Sequence, residues 1–358
     1  MRILIATPLY PPDIGGPATY SKLLFDKLPP KGVEVVVLLF GEVRHLPKVI
    51  RHIAYFFKLL KQGQGVNIIF AQDTVSVGFP SLLASIVLRK KFFVRVPGDY
   101  AWEQATQRYG VTDSVDEFQN KKYGWRVEFL RKIQRMTVNG ADTVIAPSMY
   151  FKRLVSKWVR NPEKVFCIYN GIDLSVIPES PGVYEPKTII SAGRLVPWKG
   201  FSVLIKVLKS LPEWKLFIVG DGPMRKELEN VSIKNGVSAR VFFLGQVTRE
   251  ELIQKIQKSD VFILNTSFES FSFQIVEAMA AGTPVITTNI GNLPEIIHNG
   301  KSGILVTPND EKAIISSIVR LSSDKNFRNQ IVAEALKKSL QFSIEETLNN
   351  LLIHLKKS

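Results

Sequence analysis

Two glutamates, Glu269 and Glu277, flank a predicted strand-to-helix junction with seven residues between them. Glu269 follows a buried-strand pattern at 261–265, and Glu277 falls about two turns into the helix that residues 270–273 introduce. The first amides of a helix lack intrahelical partners and attract phosphate, while a carboxylate accepts hydrogen bonds from ribose hydroxyls. The spacing therefore predicts a site for a phosphorylated, hydroxyl-rich ligand. The alternative is that Glu277 is a surface helix residue, although both of its sequence neighbours, Val276 and Ala278, are apolar.

Two cations stand in another predicted strand-end loop. The segment SAGRLVPWKG contains Arg194 and Lys199, and such a pair is suited to a diphosphate, because Arg offers a planar fork and Lys a point charge. The next strand ends in VGDGP, which contributes Gly220 and Gly222. A solvated loop and an ordinary turn are the alternatives for these two segments.

A glycine pair follows the first predicted strand. Gly15 and Gly16 precede Pro17, a residue that suits the first turn of a helix. Backbone without side chains at that point lets an anion or a sugar approach the amides closely. A plain tight turn explains the same residues equally well.

The elements that must position these residues alternate between short apolar runs and helical patterns. Strands are predicted at 2–6, 33–39, 66–71, 92–96, 143–146 and 165–169, then at 188–193, 215–220, 240–245, 261–265 and 284–288. The proline-rich stretch 175–186 interrupts the rhythm and is typical of a linker. We therefore predict an α/β protein of two doubly wound domains, in which ligands bind beyond the carboxyl ends of the strands.

Composition agrees with this organisation. A chain of 358 residues favours two domains, and the single cysteine, Cys167, excludes a disulfide framework and fits a reducing compartment. No apolar run is long enough for a membrane span, and the prolines near the N-terminus do not suit a signal peptide. We expect a cytoplasmic protein. The net charge of +15 favours anionic ligands without identifying them.

These motifs together resemble a known family. GGP near the start, GRL-x3-KG, VGDGP, and E-x7-E followed by AMAAGTPVI are similar to glycosyltransferase family 4. The resemblance implies the GT-B fold, with two Rossmann-like domains facing each other across a cleft. It implies an acceptor domain at 1–174, a nucleotide-sugar donor domain at 187–341, and a C-terminal segment, 342–358, that packs back onto the first domain. It also implies a retaining hexosyltransferase that needs no metal ion or other cofactor.

Roles for individual residues follow from the resemblance. Arg194 and Lys199 would bind the donor diphosphate, Glu277 the ribose, and Glu269 would lie near the donor sugar. The glycines of the VGDGP loop would line the donor site, and Gly15 and Gly16 would close over it from the other domain. The remaining donor contacts would come from amides around Phe271, Ser272 and Phe273.

The sequence departs from the family pattern at two positions. Many members carry a first-domain histidine where this chain reads VRVPGD, with Asp99 after Gly98. Asp99 either takes over that catalytic role or is a structural turn residue. Ser272 stands where glycine is common, and its hydroxyl either binds phosphate or narrows the pocket.

Two segments bear on the acceptor. The stretch 44–61 is basic and apolar, which suits either a helix lying on an anionic membrane, at the inner face of the plasma membrane, or a core helix with a basic side. The stretch 101–123 is predicted as a long, acceptor-shaping loop. We expect a glycan or lipid-linked acceptor, in cell-envelope or polysaccharide synthesis, and no nucleic acid.

Competing interpretations are a GT-B enzyme of another type, such as a nucleotide-sugar epimerase, and a basic binding protein without activity.

Overall fold

The computed structural model describes residues 1–13, 15–178 and 185–357, and the chain forms two compact units. The first unit comprises Met1–Gly171 and Ile344–Ser358, and the second comprises Ile172–Ser343. Residues 179–184, half of the predicted linker 175–186, lie outside the described residues. The residues on either side belong to the second unit, where Gln257 donates to the carbonyl of Pro178 at 2.9 Å and Glu185 donates to the carbonyl of Lys258 at 2.8 Å.

The first unit is built on a parallel sheet of six strands in the order β2-β1-β3-β4-β5-β6. Its strands are β1 Arg2–Thr7, β2 Glu34–Leu39, β3 Ile68–Ala71, β4 Lys91–Arg95, β5 Thr143–Ala146 and β6 Val165–Cys167. The helices of this unit that precede residue 172 are α1 Gly16–Lys27, α2 Lys48–Gly63, α3 Gly78–Leu88, α4 Tyr100–Tyr109, α5 Val115–Asn120, α6 Trp125–Gly140 and α7 Met149–Ser156. Strands β3 and β5 are buried along their whole length, as expected when helices cover both faces of a parallel sheet.

The second unit repeats this plan with six parallel strands in the order β12-β11-β10-β7-β8-β9. Its strands are β7 Thr188–Ala192, β8 Lys215–Val219, β9 Val241–Gly245, β10 Val261–Leu264, β11 Val285–Thr288 and β12 Ile304–Val306. Its helices are α8 Phe201–Val207, α9 Arg225–Lys234, α10 Arg249–Lys258, α11 Phe273–Ala280, α12 Leu293–Ile296, α13 Glu311–Ser323 and α14 Lys325–Ser339. The edge strand β12 was not predicted, because a run of three residues gives no periodic signal.

The last helix, α15 Ile344–Lys356, belongs to the first unit. It contacts α1, and the Thr347 hydroxyl donates to the carbonyl of Tyr169 at 2.8 Å. The ring of His354 lies 4.0 Å from that of Phe166, measured between centroids. The final helix thus packs onto the unit formed by the N-terminal half of the chain, as the family resemblance implies.

Two sequence predictions about local structure are wrong. The segment 101–123 is not a long loop, because α4 and α5 occupy most of it. Ser114 starts α5 with a capping box that it forms with Glu117. Glu277 lies one turn into α11 rather than two, because that helix begins only at Phe273.

No helix in the described ranges has both the length and the hydropathy that a bilayer crossing requires.

Candidate functional site

The loops that follow β7 and β8 are packed against each other at the carboxyl edge of the second sheet. A Cβ on Gly220 would lie 2.1 Å from the carbonyl oxygen of Gly193, and a Cβ on Gly222 would lie 2.5 Å from that of Leu195. Gly220 also has φ of +124°, which L side chains rarely adopt. The two glycines therefore have a packing reason to be glycine, in addition to their predicted contact with a donor.

The loop after β7 is also joined to the loop after β10. The amide of Ser267 donates to the carbonyl of Trp198 at 2.8 Å, and the Asn265 side chain donates to the carbonyl of Gly200 at 3.1 Å. A Cβ on Gly200 would lie 2.3 Å from the Asn265 carbonyl, so the approach requires glycine. These bonds fix the positions of Lys199 and Glu269, one on each loop.

Lys199 and Glu269 form an ion pair in which both side chains are largely buried. Burial raises the pKa of the Glu269 carboxyl, and the neighbouring Lys199 ammonium opposes that rise. Two of the predicted site residues, 70 positions apart in sequence, are therefore in direct contact. The pair combines a cation and a carboxylate at the edge of the sheet where ligands of such folds bind.

Arg194 differs from Lys199 although both stand in the loop after β7. Its side chain is exposed, and within the described ranges it forms no ion pair. An unpaired guanidinium retains its full capacity to bind an anion bidentately.

Ser272 begins α11 as its N-cap. Its hydroxyl accepts a hydrogen bond from the amide of Ile275 at 3.4 Å, a long bond, and the residue has extended φ and ψ. Neither alternative raised for Ser272, phosphate binding or a narrower pocket, anticipates this capping role. The rings of Phe271 and Phe273, on either side of it, meet edge to face with centroids 5.8 Å apart.

Glu277 is buried and is paired with Arg249, the first residue of α10. The Arg249 Nε atom lies 2.8 Å from a carboxylate oxygen of Glu277, whereas Nη2 of Arg249 is buried without a hydrogen-bond partner in the described residues. Burial raises the pKa of the Glu277 carboxyl and Arg249 opposes the rise. Glu277 is therefore not a surface helix residue.

Arg249 was missed by the sequence analysis. The signal that places it at the start of a helix is Thr248 followed by Glu251, which form a capping box. That pattern predicts the start of the helix but not the contact of Arg249 with Glu277, because this contact joins residues 28 positions apart.

The predicted site residues of the first unit lie at two strand ends. Gly15 precedes α1 with φ of +150° and offers no side chain to cap the helix, and Gly16 is the first residue of α1. The first amides of this helix are therefore left to other partners.

Asp99 is buried at the start of α4, where it is the N-cap. One carboxylate oxygen accepts hydrogen bonds from the Trp102 amide and the Gln134 side chain, both at 3.2 Å, and the other accepts from Gln119 at 2.8 Å. Burial is the main influence on its pKa, which is raised, while these donors oppose the rise. The contacts favour the structural alternative for Asp99 over a catalytic one.

A buried arginine, Arg95, ends β4 and was also missed. It donates to the Asn170 side chain at 2.7 Å and lies 4.1 Å from the ring centroid of Tyr20. Burial lowers its pKa to about 10. Its Nε and Nη1 atoms have no hydrogen-bond partner among the described residues, so it holds unused donors at the carboxyl edge of the first sheet.

Comparison with known families covers nearly the whole chain. Residues 12–176 match the family described as Glycosyltransferase Family 4, and residues 176–338 match the family described as glycosyl transferases group 1. The chain belongs to glycosyltransferase family 4. The resemblance inferred from the sequence motifs is thereby confirmed.

Relatives within this glycosyltransferase family are moderately similar. An uncharacterized glycosyltransferase of Methanocaldococcus jannaschii is 37% identical over 211 residues, which are 54% of this chain and 54% of that protein. The sulfoquinovosyl transferase SQD2 of Arabidopsis thaliana is 27% identical over 234 residues, 61% of this chain and 45% of that protein. The chain thus spans about half the length of the curated relatives it matches.

The solved structure of another protein has the same fold as this family 4 member. HepE of Anabaena, crystallised in complex with UDP and glucose, superposes with a TM-score of 0.81 at 21% identity over 100% of both chains. This likeness confirms the predicted GT-B fold. It leaves the roles of individual site residues as predictions.

No group of three or more His, Cys, Asp or Glu side chains in the described part of this glycosyltransferase is arranged to bind a metal ion.

Proposed function

We propose that the chain transfers a sugar from a nucleoside diphosphate sugar to a glycan or lipid-linked acceptor, with retention at the anomeric carbon. The observation that carries the proposal is the buried Lys199–Glu269 pair at the carboxyl edge of the second sheet, with Arg194 exposed in the same loop as Lys199 and without an ion pair among the described residues. Together these residues offer two cations for a diphosphate and a carboxylate for a sugar hydroxyl.

The diphosphate is assigned to Arg194 and Lys199. Arg194, which is exposed, can form a bidentate contact, while Lys199 is held in place by Glu269. The amides at the start of α11, near Phe271 and Phe273, add donors for the phosphate oxygens. Such groups stabilise the charge that the departing diphosphate gains in the transition state.

The ribose is assigned to Glu277. Its carboxylate is already oriented by Arg249 Nε, and a carboxylate oxygen accepts several hydrogen bonds, so a ribose hydroxyl is accommodated without breaking the ion pair. Arg249 Nη2, which has no partner in the described residues, is a further donor within the same cluster.

The transfer itself needs no nucleophile from the protein. The acceptor hydroxyl oxygen attacks the anomeric carbon from the face that the diphosphate leaves. The bond from that carbon to the phosphate oxygen breaks, and the hydroxyl proton passes to the departing phosphate. Glu269 orients the donor sugar, and the rate gain comes from orientation and charge stabilisation.

UDP-glucose is the first donor to test, because HepE, whose fold this chain shares, was crystallised with UDP-glucose. The notion of an epimerase has less support, since it requires an acid and a base in the first unit. Asp99, the candidate for that role, has both carboxylate oxygens occupied by protein donors.

The experiment is ligand-induced stabilisation followed by product analysis. We expect UDP or GDP to raise the melting temperature, because a ligand that binds only the folded state stabilises it. Incubation with a panel of UDP- and GDP-sugars should then release the nucleoside diphosphate, detected by mass spectrometry. If no nucleoside diphosphate shifts the melting temperature and none is released from any donor, the proposal is wrong.

A further inference from the structure

Three neighbouring helices of the first unit expose an unusual amount of apolar surface. Helix α3 packs between α2 and α6. Glycines permit the close approach, since a Cβ on Gly63 would lie 2.7 Å from the Leu88 side chain and one on Gly140 would lie 2.5 Å from the Leu82 side chain. The helices therefore present their outward faces side by side.

Each outward face carries large apolar side chains at helical spacing. Trp125 is 75% exposed, Val49 is 73% exposed and Phe57 is 62% exposed. The exposed apolar residues of the three helices are Val49, Ile50, Ile53, Phe57, Leu83, Ile86, Val87, Trp125, Phe129 and Met136. Monomeric proteins seldom expose so many contiguous apolar side chains unless a partner covers them.

The charges on the same helices are almost all positive. Helices α2 and α3 contain no Asp or Glu, and α6 contains only Glu128, which is paired with Arg131 at 2.9 Å. The cations that form no ion pair with any residue in the described ranges are Lys48, Arg51, Lys61, Arg126, Lys132 and Arg135. A partner for this surface must therefore be both apolar and anionic.

We propose that these faces of α2, α3 and α6, together called the three-helix surface, dock the protein on an anionic phospholipid membrane. The apolar side chains enter the boundary between headgroups and acyl chains, and the unpaired cations lie against the anionic headgroups. Trp125, with the Arg126 guanidinium 5.3 Å from its ring centroid, combines an apolar body with a polar edge, as residues of the membrane interface do. The sequence motif at 44–61 covers only α2, whereas α3 and α6 extend the surface.

Lipid accounts for this surface better than nucleic acid does. A nucleic acid would match the cations but would leave the apolar side chains in water. The inference is independent of the proposed reaction, because it concerns a surface of the first unit that holds none of the residues assigned to the donor.

The test is sedimentation of the full chain with vesicles of phosphatidylcholine alone and of equimolar phosphatidylcholine and phosphatidylglycerol. We expect partition into the mixed vesicles only, and loss of it when ionic strength rises from about 0.1 M to about 1 M, because the Debye length falls from about 10 Å to about 3 Å. Equal binding to both vesicles, or no binding to either, overturns the proposal.

Substitutions then locate the contact. Phe57→Glu on α2 and Trp125→Glu on α6 should each lower partition at least tenfold. Ile233→Glu on α9 of the second unit, where Ile233 is 65% exposed, is the matched control and should change nothing. A melting temperature without ligand that matches the wild type would report intact folding of each variant. An effect of Phe57→Glu without one of Trp125→Glu would refute the three-helix surface.

A second copy of the chain is the competing occupant. Light scattering without lipid should show a monomer that Phe57→Glu leaves unchanged. A dimer that this variant dissociates would overturn the membrane assignment.

Discussion

The Nε atom of Arg249 lies 2.8 Å from the carboxylate of Glu277, so the glutamate assigned to ribose is held by the first residue of a neighbouring helix. An acid buried in this way depends on its cation, since an unpaired buried charge is strongly destabilising. Glu277 therefore has two roles that can be tested separately, one in the stability of the fold and one in the proposed binding of ribose.

Substitution of this pair distinguishes those roles. We expect Arg249→Met to lower the free energy of unfolding by about 3 kcal/mol, because it leaves Glu277 buried and unpaired. The double variant Arg249→Met, Glu277→Met should regain most of that stability while its affinity for UDP stays reduced at least tenfold. Urea denaturation and calorimetric titration measure the two quantities. Exposed Glu250→Ala on the same helix is the control, and wild-type UDP affinity in the double variant would contradict the ribose assignment.

The burial of the Lys199–Glu269 pair predicts that breaking it costs more unfolding free energy than breaking an exposed ion pair. Lys199→Met should cost about 3 kcal/mol of unfolding free energy, because the Glu269 carboxylate is left without its cation. Lys187→Met, which breaks the exposed pair with Glu213, should cost less than about 1 kcal/mol. Equal losses in chemical denaturation would mean that Lys199 is not needed to hold Glu269.

Glu269 and Glu277 should differ in kinetics. We expect Glu269→Ala to lower kcat about 100-fold and to change KM by a smaller factor, because an interaction that orients the donor sugar matters most in the transition state. Glu277→Ala should instead act mainly on KM for the donor. Initial rates over a range of donor concentrations separate the two constants, and near-wild-type kinetics for both variants would refute the site.

The glycine loops give a prediction that needs no ligand. Gly220→Ala should lower the unfolding free energy by about 3 kcal/mol or more, because its Cβ would lie 2.1 Å from the Gly193 carbonyl oxygen and its φ is positive. Gly236→Ala is the control: it shares a positive φ but has no atom within 4 Å of the added Cβ, so it should cost only about 1 kcal/mol. A purely ligand-binding role for Gly220 would leave denaturation of the ligand-free protein unchanged.

Asp99 predicts a dependence of stability on pH. Burial raises its folded pKa, so above its ordinary pKa of about 3.9 the unfolded chain ionises first and the free energy of unfolding falls as pH rises, levelling off above the folded pKa. Asp99→Asn does not titrate, so its stability relative to the wild type should increase from about pH 4 upward. Urea denaturation over a pH series measures this.

The same variant tests the catalytic alternative. If Asp99 is the structural cap that its contacts favour, Asp99→Asn keeps activity within a few-fold of wild type. A loss of 100-fold or more with unchanged folding would instead favour the catalytic alternative for Asp99.

The sequence allowed the alternation of strands and helices to be predicted because buried parallel strands are short apolar runs bounded by turns. The strand at 143–146 is observed at its predicted bounds, and a helix at Ile344–Lys356 lies within the predicted C-terminal segment 342–358. The motifs around Glu269 and Lys199 also identified the edge of the sheet at which these residues meet.

The rest depended on contacts between distant residues. The partners of Asp99, Gln119 and Gln134, stand 20 and 35 positions away, and no local pattern connects them. Arg249 is recognisable as the start of a helix, whereas its contact with Glu277 depends on how α10 packs beside α11. Such pairings are decided by tertiary packing, which the order of residue types does not encode locally.

The assignment of α15 to the first unit makes the second unit an insertion within the first, entered at residue 172 and left at residue 343. During synthesis the second unit is complete in the emerging chain before the helix that covers α1 has been made. We infer that the second unit can finish folding while the first still exposes the surface that α15 will bury. A chain released before residue 344 would lack that cover and present apolar surface to chaperones and proteases.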